Sequence, residues 1–293
     1  MPIYNKKEFS KIVAFGNSYS DNGEANRISK YVMQKQNTNE DVYIKPGNDL
    51  YWNNRYSNGY TSVELLAKML KIDLFNFATG GATSGRTNYT SWMDTYEETG
   101  VLGQIDRYIK NLDKGKADAD ALHFIFPFEN DYFKFVDYNS KETIKSICKA
   151  AIENLVNGIK NLTSYGAKKF FVVSCSDLTL VPYENTMDRI KYAKEFTHTI
   201  NNNLQKTITS LTEESEIEIL LFNHTEVSKY ISNHPEKFSF TKYKEACQVT
   251  YPKSLHVKDN HEKFYFWDEW HFSSTTHEIF AKEMYKKIIS NKG

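Results

Sequence analysis

The chain has 293 residues, and its 37 lysines and arginines balance 37 aspartates and glutamates. That balance leaves no overall field to draw in nucleic acid or an acidic membrane surface, and no run of about 18 apolar residues provides a membrane span. The length permits a substantial core, while 20 tyrosines and 19 phenylalanines imply partly exposed rings, which fit either an apolar substrate groove or a general compositional bias toward Lys, Asn, Tyr and Ile.

The first apolar run, Lys11–Phe15, reads as a buried strand and ends in Gly16-Asn17-Ser18, a turn that lifts a hydroxyl to the carboxyl edge of a sheet. Polar residues 36–60 follow as a loop excursion. Val63, Leu66, Ala67 and Leu70 then mark one helix face, and Ile72–Phe77 is the second strand, running into Asn76-Phe77-Ala78-Thr79-Gly80-Gly81. Leu102, Ile105, Ile109 and Leu112 mark the next helix. The third strand, Ala121–Pro127, ends in Phe128-Glu129-Asn130-Asp131. Helical spacing from Ile144 to Leu162 closes at Tyr165-Gly166. Lys168–Ser174 and Ile217–Phe222 are further strands, separated by a helix over Asp188–Leu211. Residues 223–264 read as a second polar excursion. Asp268 and His271 precede a closing helix over Ser274–Ile289, with Ser273 or Ser274 as its cap. Alternation of this kind predicts a three-layer α/β/α sandwich with a mainly parallel five-stranded sheet. No linker or repeat divides the chain, so residues 1–293 are expected to form a single domain.

Ligands of open α/β sheets bind at the carboxyl edge of the strands, and this topology delivers four blocks there. Their residue types fit nucleophilic acyl transfer. Ser18 needs an adjacent base, which His271 supplies, and Asp268 fixes the imidazole tautomer. The backbone N–H groups of Ser18 and Gly81 and the side-chain amide of Asn130 are candidate oxyanion donors. Asp21 and Asp131 read as turn-forming acceptors, and His277 as facing the helix interior. Phe124, Phe126 and Phe128 fall on one face by alternation, dividing core from acyl-pocket wall. His224, His234, His256 and His261 lack metal-ligand spacing, so neither metal nor cofactor is called for.

The segments FGNSYSDNG, NFATGGATS, FEND, GAKKFFVVSCSDL and FWDEWHFSSTTH resemble the SGNH or GDSL hydrolase family over nearly the whole chain. They come closest to its bacterial lipase, lysophospholipase A and glycerophospholipid–cholesterol acyltransferase branch. The resemblance implies the flavodoxin-like SGNH fold, with Ser18, Asp268 and His271 as the catalytic triad and Ser18, Gly81 and Asn130 as the oxyanion hole. It implies a lipid acyl ester as substrate, with an alcohol such as a sterol as a second acyl acceptor and transient contact with a membrane surface. Short-chain carbohydrate O-acetylesterases share the blocks, and a catalytically weakened member that binds lipid or a partner is the remaining alternative. Three positions depart from the family pattern. Asn17 replaces an aspartate, removing a charge beside the serine. Phe128 stands where a glycine is usual, which bears on pocket shape and the approach of Asn130. Cys247 lacks the later partner found in secreted relatives.

Cys148, Cys175 and Cys247 have no Cys-x-x-Cys spacing and are expected as three free thiols. With no apolar h-region in Met1–Lys7, the expectation is a soluble protein, cytoplasmic or exported without a classical signal peptide. The loop before Asp268, at about residues 248–264, is then expected to rest on Tyr251, Leu255 and Val257 or to act as a mobile lid.

Overall fold

A computed structural model describes residues 9–35, 41–47, 49–138, 140–238, 240–249 and 256–290. Five apolar runs form one sheet: β1 (Lys11–Gly16), β2 (Asp73–Asn76), β3 (Leu122–Phe126), β4 (Lys169–Val173) and β5 (Glu218–Phe222). The strands lie in the order β2-β1-β3-β4-β5, and every pairing is parallel. Central β3 is buried along its whole length, as a parallel strand covered on both faces must be. Edge strand β2 is shorter than the expected Ile72–Phe77 and alternates between exposed and half-buried.

Helices α1 (Glu24–Lys35) and α2 (Ser62–Leu70) lead from β1 to β2, and α3 (Val101–Lys110) leads back past β1 to β3. Right-handed crossovers taken in opposite directions put their helices on opposite faces of the sheet. The chain then continues in one direction. It passes through α4 (Glu129–Asp137) and α5 (Ile144–Ser164) to β4, then through α6 (Pro182–Thr186) and α7 (Ile190–Glu214) to β5. Thus α3, α5 and α7 build one layer. After β5 come α8 (His224–Asn233), α9 (Pro235–Phe238) and four short strands, β6 (Lys242–Ala246), β7 (Gln248–Val249), β8 (His256–Val257) and β9 (Phe264–Phe266), before α10 (Ser274–Ser290). Helix α10 packs along α2 in the other layer. The three expected layers and the parallel sheet are therefore present.

Two segments differ from their sequence reading. The helix expected over Asp188–Leu211 runs instead from Ile190 to Glu214, with short α6 before it. Residues 223–264 are largely ordered into elements. Asn223 caps α8 by accepting the Glu226 N–H, α8 buries His224, Ser228 and Ile231, and β6 pairs with β9. Val257 does not anchor this loop. It is 38% exposed and merely pairs opposite Gln248 in the β7–β8 ladder. Tyr251 and Leu255 lie outside the described residues. Ser273 is the α10 cap, its Oγ accepting the Thr276 N–H at 3.3 Å. The three cysteines are buried and unbonded to one another, and burial pushes the Cys148 thiol up to about 12 and Cys247 up to about 11. None of the described helices is long and apolar enough to cross a membrane.

The sheet core is aromatic: Phe15, Phe124, Phe170 and Phe171 are fully buried, and Phe124 stacks on Phe171 of the neighbouring strand at 5.7 Å. The end of β1 is pinned separately. Gly16 N–H donates to Gln104 Oε1, and Gln104 Nε2 donates back to Gly16 O, both at 2.9 Å. Gly16 is paired with Phe126, whose carbonyl oxygen leaves no space for a β-carbon. We expect Gly16→Ala to destabilise the fold by about 1–3 kcal/mol, the cost of overpacking against backbone. Chemical denaturation should show a lower midpoint with an unchanged slope.

Candidate active site

The strand order reverses between β1 and β3, and such a switch point opens a crevice at the carboxyl ends of the two strands. Gly16 and Phe126 are register partners, so the residues just after each strand stand at the same height. That register places Ser18 beside the block that opens α4.

The turn after β1 is tight. The N–H groups of Ser20 and Asp21 both donate to the Asn17 carbonyl at 3.0 Å. Asp21 then receives the N–H groups of Gly23, Glu24 and Ala25, capping α1, and that of Gly80 from the second block. Burial raises Asp21 to about 6 against these four bonds. Gly81 has φ +82°, and a β-carbon there would collide with Asn88 Oδ1. Glycine is therefore required by both conformation and space. Its carbonyl accepts the Tyr89 N–H at 2.7 Å.

After β3, Phe128 is fully buried and occupies the position before α4 with helical φ and ψ. Phe124, Phe126 and Phe128, the face set apart by alternation, form the core side of that division, and Phe133 just beyond them lines the cleft. Asn130 Nδ2 donates to the Ala82 carbonyl at 3.0 Å, which orients the amide and leaves its second N–H unspent. Asp131 accepts both the N–H and the hydroxyl of Ser84 at 2.8 Å.

The neighbouring Glu129 resolves the Asn17 departure. Glu129 is buried, accepts Asn17 Nδ2 at 2.7 Å and the Ser176 N–H at 2.9 Å, and is raised by that burial. Asn17 Oδ1 in turn accepts the Tyr19 N–H. A neutral amide is the group that can donate to this carboxylate while accepting from the turn; an aspartate would oppose it.

Asp268, fully buried, accepts the N–H groups of Trp270 and His271 through Oδ1. His271 Nδ1 lies 2.7 Å from Asp268 Oδ2, and His271 Nε2 lies 2.9 Å from Ser18 Oγ. Donation from Nδ1–H to the carboxylate assigns the tautomer and leaves Nε2 to accept the serine proton. Burial alone would push Asp268 up, but the His271 ring and the donated hydrogen bonds outweigh it and hold the carboxyl below its ordinary range. Tyr51 was not singled out in the sequence; its hydroxyl donates to Asp268 Oδ2 at 2.5 Å. Tyr56 packs against the His271 ring at 4.8 Å between centroids. Tyr19 stacks on Phe272 at 4.3 Å and donates its hydroxyl to the Trp270 carbonyl.

All five residues singled out for catalysis or oxyanion binding line one cleft of about 790 Å³. Tyr43, Tyr51, Tyr56, Tyr89, Phe133 and Trp270 supply much of its wall. Among the described residues, the Ser18 and Gly81 N–H groups donate to no protein acceptor. His277 faces inward, bonded to Ser62 at 2.9 Å, and His224 stacks on Phe280 at 3.8 Å. Burial lowers each of these imidazoles to about 3.

The chain belongs to the GDSL-like lipase/acylhydrolase family, whose model matches residues 12–284. Among curated proteins it is 25% identical to the thermolabile hemolysin of Vibrio parahaemolyticus over 94% of this chain and 63% of that protein. It is 27% identical to the phosphatidylcholine-sterol acyltransferase of Aeromonas hydrophila over 54% of this chain and 44% of that protein. An Arabidopsis thaliana GDSL esterase/lipase is 24% identical over 94% and 88% of the two chains. The chain thus spans under two thirds of the length of the hemolysin and of the acyltransferase. A solved GDSL-like lipase from Parabacteroides merdae superposes with a TM-score of 0.49 at 12% identity, covering 98% of both chains.

Two outcomes follow from the buried carboxylates. Asn17→Asp sets two carboxylates in contact, so one must keep a proton; melting temperature should drop most above neutral pH, and Glu129→Gln in the same chain should restore it. Burial, aided by the Glu129 charge, raises Asp131 to about 7, against about 3.9 in an unfolded chain. Between those values the folded state holds a proton that the unfolded state releases. The stability from Asp131 is thus fully present at low pH and lost as pH rises through about 7. Asp131→Asn can still bond to Ser84, and melting curves from pH 4 to 8 should show a shallower decline.

Proposed function

We propose that this chain is a serine esterase that hydrolyses lipid acyl esters, using one catalytic domain that spans the sequence. The observation that carries the proposal is the hydrogen-bonded series from Ser18 through His271 to Asp268 on the wall of an aromatic cleft. As an ester carbonyl approaches, Ser18 Oγ attacks the carbon and its proton passes to His271 Nε2. Asp268 stabilises the resulting imidazolium without taking the proton. The carbonyl oxygen becomes an oxyanion, facing the unspent N–H groups of Ser18, Gly81 and the Asn130 amide. Collapse expels the alcohol, which takes the proton from His271, and leaves an acyl-enzyme. Water repeats the sequence in reverse to release the acid. An acceptor alcohol entering in place of water would make the step an acyl transfer. Tyr51 is a positioning residue here, holding the same Asp268 oxygen, Oδ2, that faces His271 Nδ1. The tyrosine-lined wall suits a hydrocarbon chain better than a short acetyl group.

The test is turnover of p-nitrophenyl esters graded from two to twelve acyl carbons. Rates should rise with chain length, whereas a maximum at acetate would indicate a short-acyl esterase, and no turnover would indicate a binding protein. Ser18→Ala and His271→Ala should each abolish hydrolysis with the fold intact by circular dichroism. Asn130→Ala should lower kcat by ~10²–10³-fold with a smaller change in KM, the mark of a donor used in the transition state.

A further inference from the structure

The cleft contains a positive charge that the esterase mechanism does not use. The lining carboxylates are all accounted for. Asp268 is held by His271 and Tyr51. Glu129 is held by Asn17 and Ser176. Asp137 is paired with Arg189 at 2.6 Å and accepts the Tyr89 hydroxyl at 2.9 Å. Lys45 lines the same cleft, and among the described residues no carboxylate pairs with it. Its Nζ donates to Thr90 Oγ1 at 2.9 Å and lies over the rings of Tyr43 and Trp92 at 5.0 and 5.9 Å. Rings of this kind favour a cation but do not neutralise it. Burial lowers the Lys45 ammonium to about 8, so the fold keeps this charge at some cost.

Lys45 is also held in place. Its N–H donates to Ser29 Oγ at 3.1 Å and its carbonyl accepts Asn26 Nδ2 at 3.0 Å. Both partners belong to α1, the helix capped by Asp21 from the Ser18 turn. Of the three ammonium protons, one serves Thr90 and two remain. The Thr90 hydroxyl, having accepted that bond, is free to donate its own proton, and Thr90 also lines the cleft. An ammonium and a hydroxyl with unspent donors form a two-point cradle for an oxyanion.

We propose that Lys45 and Thr90 bind an anionic group of the substrate, a phosphate or a carboxylate, and so make the site selective for anionic esters over neutral ones. The proposal rests on the esterase reading, because it places the anion and the ester carbonyl on one molecule within one cleft.

Three octanoyl esters used below their aggregation limits provide the test: monooctanoylglycerol, octanoyl lysophosphatidic acid and octanoyl lactate. The wild-type protein should favour at least one charged ester over the glycerol ester in kcat/KM, and which one tells phosphate from carboxylate recognition. Lys45→Met should reduce that preference by roughly 10–100-fold, chiefly through KM, as loss of a charged hydrogen bond predicts. Lys45→Arg should retain most of it, and Thr90→Val should lose a smaller part, which also covers the case of a poorly folding Met variant. A charged-to-neutral ratio that stays the same in Lys45→Met and Thr90→Val overturns the proposal while the esterase reading stands. Failure of the wild-type protein to hydrolyse any of the three, glycerol ester included, overturns both.

Discussion

The parallel pairing of β1 with β3 is the constraint on which the site depends. Gly16 opposite Phe126 sets the Ser18 turn level with the start of α4, and the reversal of strand order at that pair leaves the crevice open. Gly16 has no side chain because the Phe126 carbonyl fills the space, and its backbone is doubly bonded to Gln104 of α3. One close backbone approach therefore carries sheet, helix layer and site together. Asp21 extends this coupling to the second block by taking the Gly80 N–H on the carboxylate that caps α1.

The departures from the family pattern make sense as local compensations. Asn17 gives up an aspartate's charge, yet its amide donates to buried Glu129 and accepts from Tyr19. Two residues 112 positions apart are thus matched in hydrogen-bonding polarity. Phe128 replaces a small residue without filling the cleft, because its ring turns into the core, and Asn130 still reaches the Ala82 carbonyl. Cys247 lies buried against the Lys258 carbonyl, in a small cluster with Phe264 and Trp267.

The cleft joins two kinds of environment. Its aromatic side chains offer apolar area, while its carboxylates are each committed to fixed donors. Committed groups hold geometry and cost little reorganisation during a reaction. Lys45 is the exception, a cation placed by α1 with donors to spare.

Sheet strands, most helices and the four site blocks were legible because each depends on short-range patterning. Apolar runs such as Leu122–Phe126 must be buried on both faces, and Gly81 marks a backbone that only glycine adopts without strain. Polar stretches hid the rest. The α8 and β6–β9 elements are stabilised by pairing and by a few buried faces that polarity averages away. Tyr51 and Lys45 sit in the excursion at residues 36–60, where nothing local distinguishes them from other polar-loop residues. The sequence by itself determined the fold class and the chemical types brought to the sheet edge, since periodicity and turn chemistry are local properties. Only the tertiary structure decided that Asn17 is answered by Glu129, that Tyr51 reaches Asp268, and that Lys45 reaches Thr90 in the cleft. Those outcomes depend on distances between residues far apart in the chain, and such distances exist only once the strands have paired.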